Sequence, residues 1–139
     1  MNHKKTLAAL AVLALAPMIA LRASAGAPPT THEVKMVMVG TAARFEPATL
    51  TIRAGDRVRF VNTSGGPHNV SFDPARVPDD AERALAAGMP AQIQPLWGPL
   101  VTEPNAAYTV TFAGVKPGRY EFFCMPHMAM GMKGVLTIQ

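Results

Sequence analysis

The chain has 139 residues, one cysteine and nine methionines, and 13 Lys and Arg against 9 Asp and Glu give it a formal net charge of +4. That length suits one domain, a lone cysteine excludes an internal disulfide, and without any basic run there is no nucleic-acid footprint. His3, Lys4 and Lys5 precede the almost entirely apolar stretch from Thr6 to Leu21, and Ala23-Ser24-Ala25 follows it. This is the pattern of an export signal cut after Ala25. The apolar run is shorter than the ~20 residues of a spanning helix and Pro17 interrupts it, so no stable membrane insertion is expected after cleavage. A periplasmic or otherwise extracytoplasmic location follows. No cysteine near the cut offers a lipid anchor. Lys4, Lys5 and Arg22 leave with residues 1–25, so ten bases face nine acids and the mature charge is +1, favouring neither acidic nor basic partners.

Residues 26–32 are small and Pro-containing, a flexible lead-in to a domain over 33–139. Short runs rich in β-branched and aromatic residues follow, separated by turn signals. The first strand is expected at Glu33–Val39, with Phe45-Glu46-Pro47 as a connection and a second strand at Leu50–Arg53. Arg57–Asn62 alternates, with Val58 and Phe60 on one face and Arg57, Arg59 and Val61 on the other, as a half-buried strand does. The breaker-rich loop Thr63–Pro67 leads to a strand at His68–Phe72. Asp79 and Glu82 have capping-box spacing, Ala-rich residues follow and Gly88 can end the segment, which predicts one short helix. Met89–Pro99, with Trp97, is irregular. Strands at Ala107–Phe112, Arg119–Cys124 and Gly134–Gln139 complete the chain, with Tyr120, Phe122 and Cys124 on one side. The expected architecture is an all-β sandwich.

Chemistry concentrates in Cys124-Met125-Pro126-His127-Met128-Ala129-Met130-Gly131-Met132. A free thiol in an oxidising compartment is a liability unless something occupies it, and a metal-bound thiolate is protected and deprotonated together. His68 offers a second imidazole. Two nitrogens, a thiolate and a weak axial thioether suit copper in an electron-transfer site. Cys124 and His127 come from one short loop stiffened by Pro126, and His68, on another strand, is expected to tie the site to the opposite sheet. Asn69 is the candidate for orienting the Cys124 loop through backbone hydrogen bonds. The thioether is ambiguous on spacing: Met128, Met130 and Met132 lie four, six and eight positions after Cys124. His32 reads as a solvated residue. Met89, Met125, Met128 and Met130 are candidates for an apolar docking patch around the His127 edge.

The order and joint spacing of several motifs resemble the plastocyanin/pseudoazurin group of small blue copper proteins, the cupredoxins. The motifs are Phe45-x-Pro47, Gly55-Asp56 before Val58-x-Phe60-x-Asn62, Pro67-His68-Asn69-Val70, Gly118-x-Tyr120-x-Phe122-x-Cys124, Pro126-His127 and Gly131-Met132-x-Gly134. The resemblance spans nearly the whole mature chain. It implies an eight-stranded Greek-key sandwich with one type 1 copper at one end, held by His68, Cys124, His127 and an axial methionine. In that group the axial ligand is followed by one residue and then a glycine opening the last strand, which selects Met132 through Met132-Lys133-Gly134.

Three functions fit such a chain. One is a monomeric one-electron carrier between larger redox proteins, with a cytochrome or reductase as donor or acceptor. A second, a copper enzyme, needs further metal sites built from histidine, and the mature chain has only His32, His68 and His127; the expectation is therefore not an enzyme. The third is extracytoplasmic copper storage or delivery, for which abundant methionine suits Cu(I).

Overall fold

The computed structural model describes residues 27–139, so the export-signal reading over residues 1–25 lies outside the described residues. Among the described residues eight strands form two four-stranded sheets. They are β1 (Thr31–Val39), β2 (Ala42–Glu46), β3 (Thr49–Ile52), β4 (Arg57–Asn62), β5 (Ser71–Phe72), β6 (Ala107–Thr111), β7 (Gly118–Phe123) and β8 (Lys133–Ile138). The first sheet runs β2-β1-β4-β6 and the second β3-β8-β7-β5. β1 pairs parallel with β4, β3 pairs parallel with β8, and the other pairs are antiparallel. The connections β2 to β3, β3 to β4, β4 to β5, β5 to β6 and β6 to β7 all pass from one sheet to the other, while β1-β2 and β7-β8 are hairpins within a sheet. Among the described residues no helix is long and apolar enough to cross a membrane.

Period-two patterning decides which side chains meet between the sheets. Val34, Met36, Phe45, Val58, Phe60 and Val110 from the first sheet are buried against Tyr120, Phe122, Leu136 and Ile138 from the second. Phe122 sits at the centre, edge-on to Phe45 with ring centroids 4.8 Å apart and to Phe60 at 5.5 Å. Such edge-to-face contacts add to the area the rings bury. Cys124 lies two residues beyond Phe122 on the same side and is buried with it. The packing that fixes β7 therefore fixes the cysteine.

Several details depart from the expectations. β2 is a strand although Phe45-Glu46-Pro47 reads as a connection, because Pro47 falls just past the strand's end. β1 begins at Thr31 rather than Glu33. The segment expected to be a loose lead-in is tied down at Thr30, whose N–H donates to Asp56 Oδ1 at 2.8 Å while its carbonyl accepts from Arg57 N at 2.8 Å. Val61 is buried although alternation places it on the outer face. The helix α1 (Asp79–Ala87) forms as expected, but without the capping box: Pro78 is its N-cap and no side chain caps it. Asp79, Asp80 and Glu82 instead place negative charge in the first turn, where the exposed N–H groups favour it. Gly88 does end the helix, for a packing reason. Its φ is an ordinary −85°, but a Cβ there would lie 1.8 Å from the carbonyl oxygen of Thr111.

Candidate metal centre

β7 ends at Phe123 and the chain enters a 3-10 turn over Met125–Met130, opened by Pro126 and broken at His127, whose φ of −116° leaves helical geometry. This break brings the imidazole back over the cysteine. His127 Nδ1 lies 3.5 Å from Cys124 Sγ, and His68 Nδ1 lies 3.8 Å from the same sulfur. The three donor atoms all fall within 4.8 Å of one another, and the two imidazole centroids are 4.7 Å apart. All three residues are buried, with His127 the most open at 7 %.

His68 reaches the cluster differently from the expectation. It lies in the crossover from β4 to β5, outside any strand, and its backbone bridges Val101: His68 N donates to the Val101 carbonyl at 3.1 Å and Val101 N to the His68 carbonyl at 2.7 Å. The strand it leads into, β5, pairs with β7, so the strands beside His68 and Cys124 belong to one sheet. The first sheet is linked through the Val101 segment that leads to β6, not through a strand bearing His68.

Asn69 stitches the two donor segments together. Its Oδ1 accepts from Met125 N at 2.8 Å, its Nδ2 donates to Ser71 Oγ at 3.0 Å and to the Gly98 carbonyl at 3.2 Å, and its backbone N–H points at Cys124 Sγ at 3.5 Å. The loop also closes on itself. Cys124 N donates to the Met132 carbonyl at 3.0 Å and Met132 N to the His127 carbonyl at 3.2 Å. Of the three methionines that spacing left open, Met132 is 1 % exposed, whereas Met128 and Met130 are 60 % and 51 % exposed. Met125 is 37 % exposed. Met89, by contrast, is buried in the core and does not join the open methionines.

The electrostatics suit a cation. Burial, with the nearby His127, pulls His68 down to about 4, so its ring is neutral at pH 7. Burial also pushes the Cys124 thiol up, against the lowering influence of the Asn69 and His127 backbone N–H groups. His68 and Cys124 are therefore both uncharged before a metal binds, and a bound cation supplies the charge that draws off the thiol proton. One thiolate and two imidazoles are donors that copper favours, and hard divalent cations do not match them.

Three further polar residues make contacts that the local sequence does not show. Asn62 is buried and fully used: Nδ2 donates to the Gly66 and Val101 carbonyls at 2.8 and 2.9 Å, and Oδ1 accepts from Gly65 N at 3.0 Å. Ser64 Oγ lies 3.3 Å from His68 Nε2. His32, expected to be solvated, is half-buried, with Nε2 2.9 Å from Asp56 Oδ2. Asn62 was visible in the motif ahead of His68, but the other two contacts depend on tertiary placement.

The profile of the family described as "Copper binding proteins, plastocyanin/azurin family" matches residues 32–139. A plastocyanin from Prochlorothrix hollandica is 37% identical over 131 residues, covering 92% of this chain and 90% of that protein. An oxidised plastocyanin from Dryopteris crassirhizoma superposes with a TM-score of 0.62 at 29% identity, over 77% of this chain and 99% of that one. A Sinorhizobium pseudoazurin superposes with a TM-score of 0.55 at 28% identity, over 79% and 74% of the two chains. A two-sheet sandwich carrying a buried Cys-His-His cluster is the architecture of a small copper protein. The chain belongs to the plastocyanin/azurin family of copper-binding proteins, and copper is its cofactor.

Proposed function

We propose that this protein is an exported, monomeric one-electron carrier holding one copper ion through His68 Nδ1, Cys124 Sγ, His127 Nδ1 and the Met132 thioether. Copper, when bound, supplies the Cu(I)/Cu(II) couple. The observation that carries the reading is the placement of the three strong donors within 4.8 Å in a buried site fixed by the fold. A carrier needs ligands that move little between oxidation states. Here the Cys124 loop is closed by its own backbone hydrogen bonds and tied to the His68 segment by Asn69. Core packing excludes water around Cys124 and Met132, while His127 keeps an edge near the surface. Met125, Met128 and Met130 rim that edge in the sequence and are the open side chains of the loop. They form the docking patch, and its apolar character suits small, short-lived contacts with larger redox proteins such as a cytochrome or reductase. The extracytoplasmic location rests on the signal pattern of residues 1–25.

The test is the visible spectrum after Cu(II) addition, beside that of Cys124→Ser. An intense colour, bleached by reductant and absent from the variant, is the expected result. A colourless protein that binds Cu(I) tightly overturns the reading and favours copper storage or delivery, to which the open methionines would then belong.

A further inference from the structure

We infer that Ser64 is the positioning residue of His68, accepting the proton of Nε2 so that Nδ1 turns an unprotonated lone pair toward Cys124. The inference rests on the copper-site reading above. A neutral imidazole carries one N–H, and the nitrogen that faces a metal must be the one without it. For His68 the nitrogen facing the cluster is Nδ1, 3.8 Å from Cys124 Sγ. Nε2 must then be the donor, and because His68 is fully buried that donor requires an acceptor within the protein. Ser64 Oγ, 3.3 Å away, is the acceptor the structure provides.

The hydroxyl's own hydrogen-bond accounting agrees. A serine hydroxyl has one proton to give and two lone pairs to receive with. One lone pair takes the Met38 backbone N–H at 2.9 Å. The proton has the Gly65 carbonyl within reach at 3.4 Å. The second lone pair remains for His68 Nε2. In the opposite tautomer Ser64 would have to turn its proton to Nε2, abandon Gly65, and leave a proton on Nδ1 where the cluster needs a lone pair. The surrounding loop holds Ser64 in place. Asn62 pins Gly65 and Gly66 on one side of it, and Thr63 N donates to the Met36 carbonyl at 3.1 Å on the other. Ser64 thereby couples the end of β1, through Met38, to the orientation of a ring whose backbone is independently fixed by Val101. The His68 ring so acquires a side-chain link to the first sheet.

His127 shows no such partner on its outer nitrogen among the described residues, so the two imidazoles are held unequally. His68 is locked at both ring nitrogens and His127 is set by its turn.

The experiment compares the wild type with Ser64→Ala and Ser64→Thr, the latter keeping the hydroxyl. In the copper-free proteins, nitrogen-15 NMR of the His68 ring reads the tautomer and the exchange of its N–H with water. The wild type and Ser64→Thr are expected to hold one Nε2–H tautomer with slow exchange. Ser64→Ala is expected to lose that protection and to bind Cu(II) about 10-fold more weakly, the lower end of the effect of removing a partner of a metal-ligating histidine. A Ser64→Ala protein that keeps the protected Nε2–H and wild-type copper affinity overturns the inference. So does a Ser64→Thr protein that fails as Ser64→Ala does, since the defect would then lie in loop packing. The tautomer measurement needs no copper, so its outcome is separate from whether the protein carries electrons.

Discussion

Replacing Asn69 by alanine should loosen the metal centre and cost the fold measurable stability. The amide makes three hydrogen bonds, to Met125 N, Ser71 Oγ and the Gly98 carbonyl, and the residue is fully buried. A buried polar group that loses its partner costs about 1–3 kcal/mol. Ser71 and Gly98 are both buried, so each stands within that range, nearer its lower end for Ser71 because a hydroxyl can rotate. Met125 lies at the surface, where water replaces the lost acceptor at a smaller cost. The sum is roughly 3 kcal/mol, or about 12 °C in Tm for a domain of this size. Urea and thermal unfolding of the copper-free protein should be used, because bound metal adds its own free energy to the native state. In the copper-loaded variant the Cys124 loop loses its tie to the His68 segment, so copper should leave faster and the visible band should shift. A loss below about 1 kcal/mol with an unchanged spectrum would refute the view that Asn69 holds the two donor segments in register.

At the other end of the sandwich, N–H groups of Thr30 and Arg53, with His32 between them in rank of effect, hold the Asp56 carboxyl down from 3.8 to about 2. A depressed carboxyl stabilises the fold above its unfolded pKa, and that contribution is lost as pH falls from about 4 through about 2. Asp56→Asn should therefore cost roughly 2 kcal/mol at pH 7 in urea unfolding, and the two proteins should converge near pH 2; an equal gap at both pH values would contradict this linkage. Gly134→Ala should lower stability by about 3 kcal/mol in the same assay, since a Cβ would lie 2.4 Å from Phe122 Cζ and 2.7 Å from the Ala48 carbonyl oxygen. Met128→Lys combined with Met130→Lys should slow electron self-exchange between two copies about 10-fold at low salt without changing the visible spectrum, because like charges then meet across the patch. Unchanged self-exchange, read from NMR line widths of mixed oxidation states, would place electron transfer elsewhere.

The legible parts of this chain were those written in local spacing. Val58 and Phe60, Tyr120, Phe122 and Cys124 announce buried strand faces because alternation is a local property, and Cys124-x-x-His127 announces a donor pair for the same reason. β2 was obscured by Pro47, which terminates it but reads as a break across the segment. The strand expected from His68 is shorter because His68 leaves the ladder to bridge Val101, a pairing across thirty-three positions of sequence that no local pattern reveals. The same distance hides the contacts of His32 with Asp56 and of Ser64 with Met38. Spacing alone does not separate Met128, Met130 and Met132; burial does, since of the three only Met132 joins the hydrophobic core.

The order in which the strands appear along the chain sets the order in which they can assemble. Every strand of the first sheet lies within residues 31–111, whereas the second needs β7 and β8, from Gly118 to Ile138. With the N-terminal part alone the first sheet can pair before its cover is in place. Until the final hairpin docks, the face bearing Val34, Met36, Phe45, Val58 and Phe60 stands open to water, a sticky surface for other unfolded chains. That closing hairpin is also the piece that carries Cys124, His127 and Met132 between its strands. Burial of the apolar face and creation of the metal-binding pocket are thus one event, and a chain truncated before Gly118 can achieve neither.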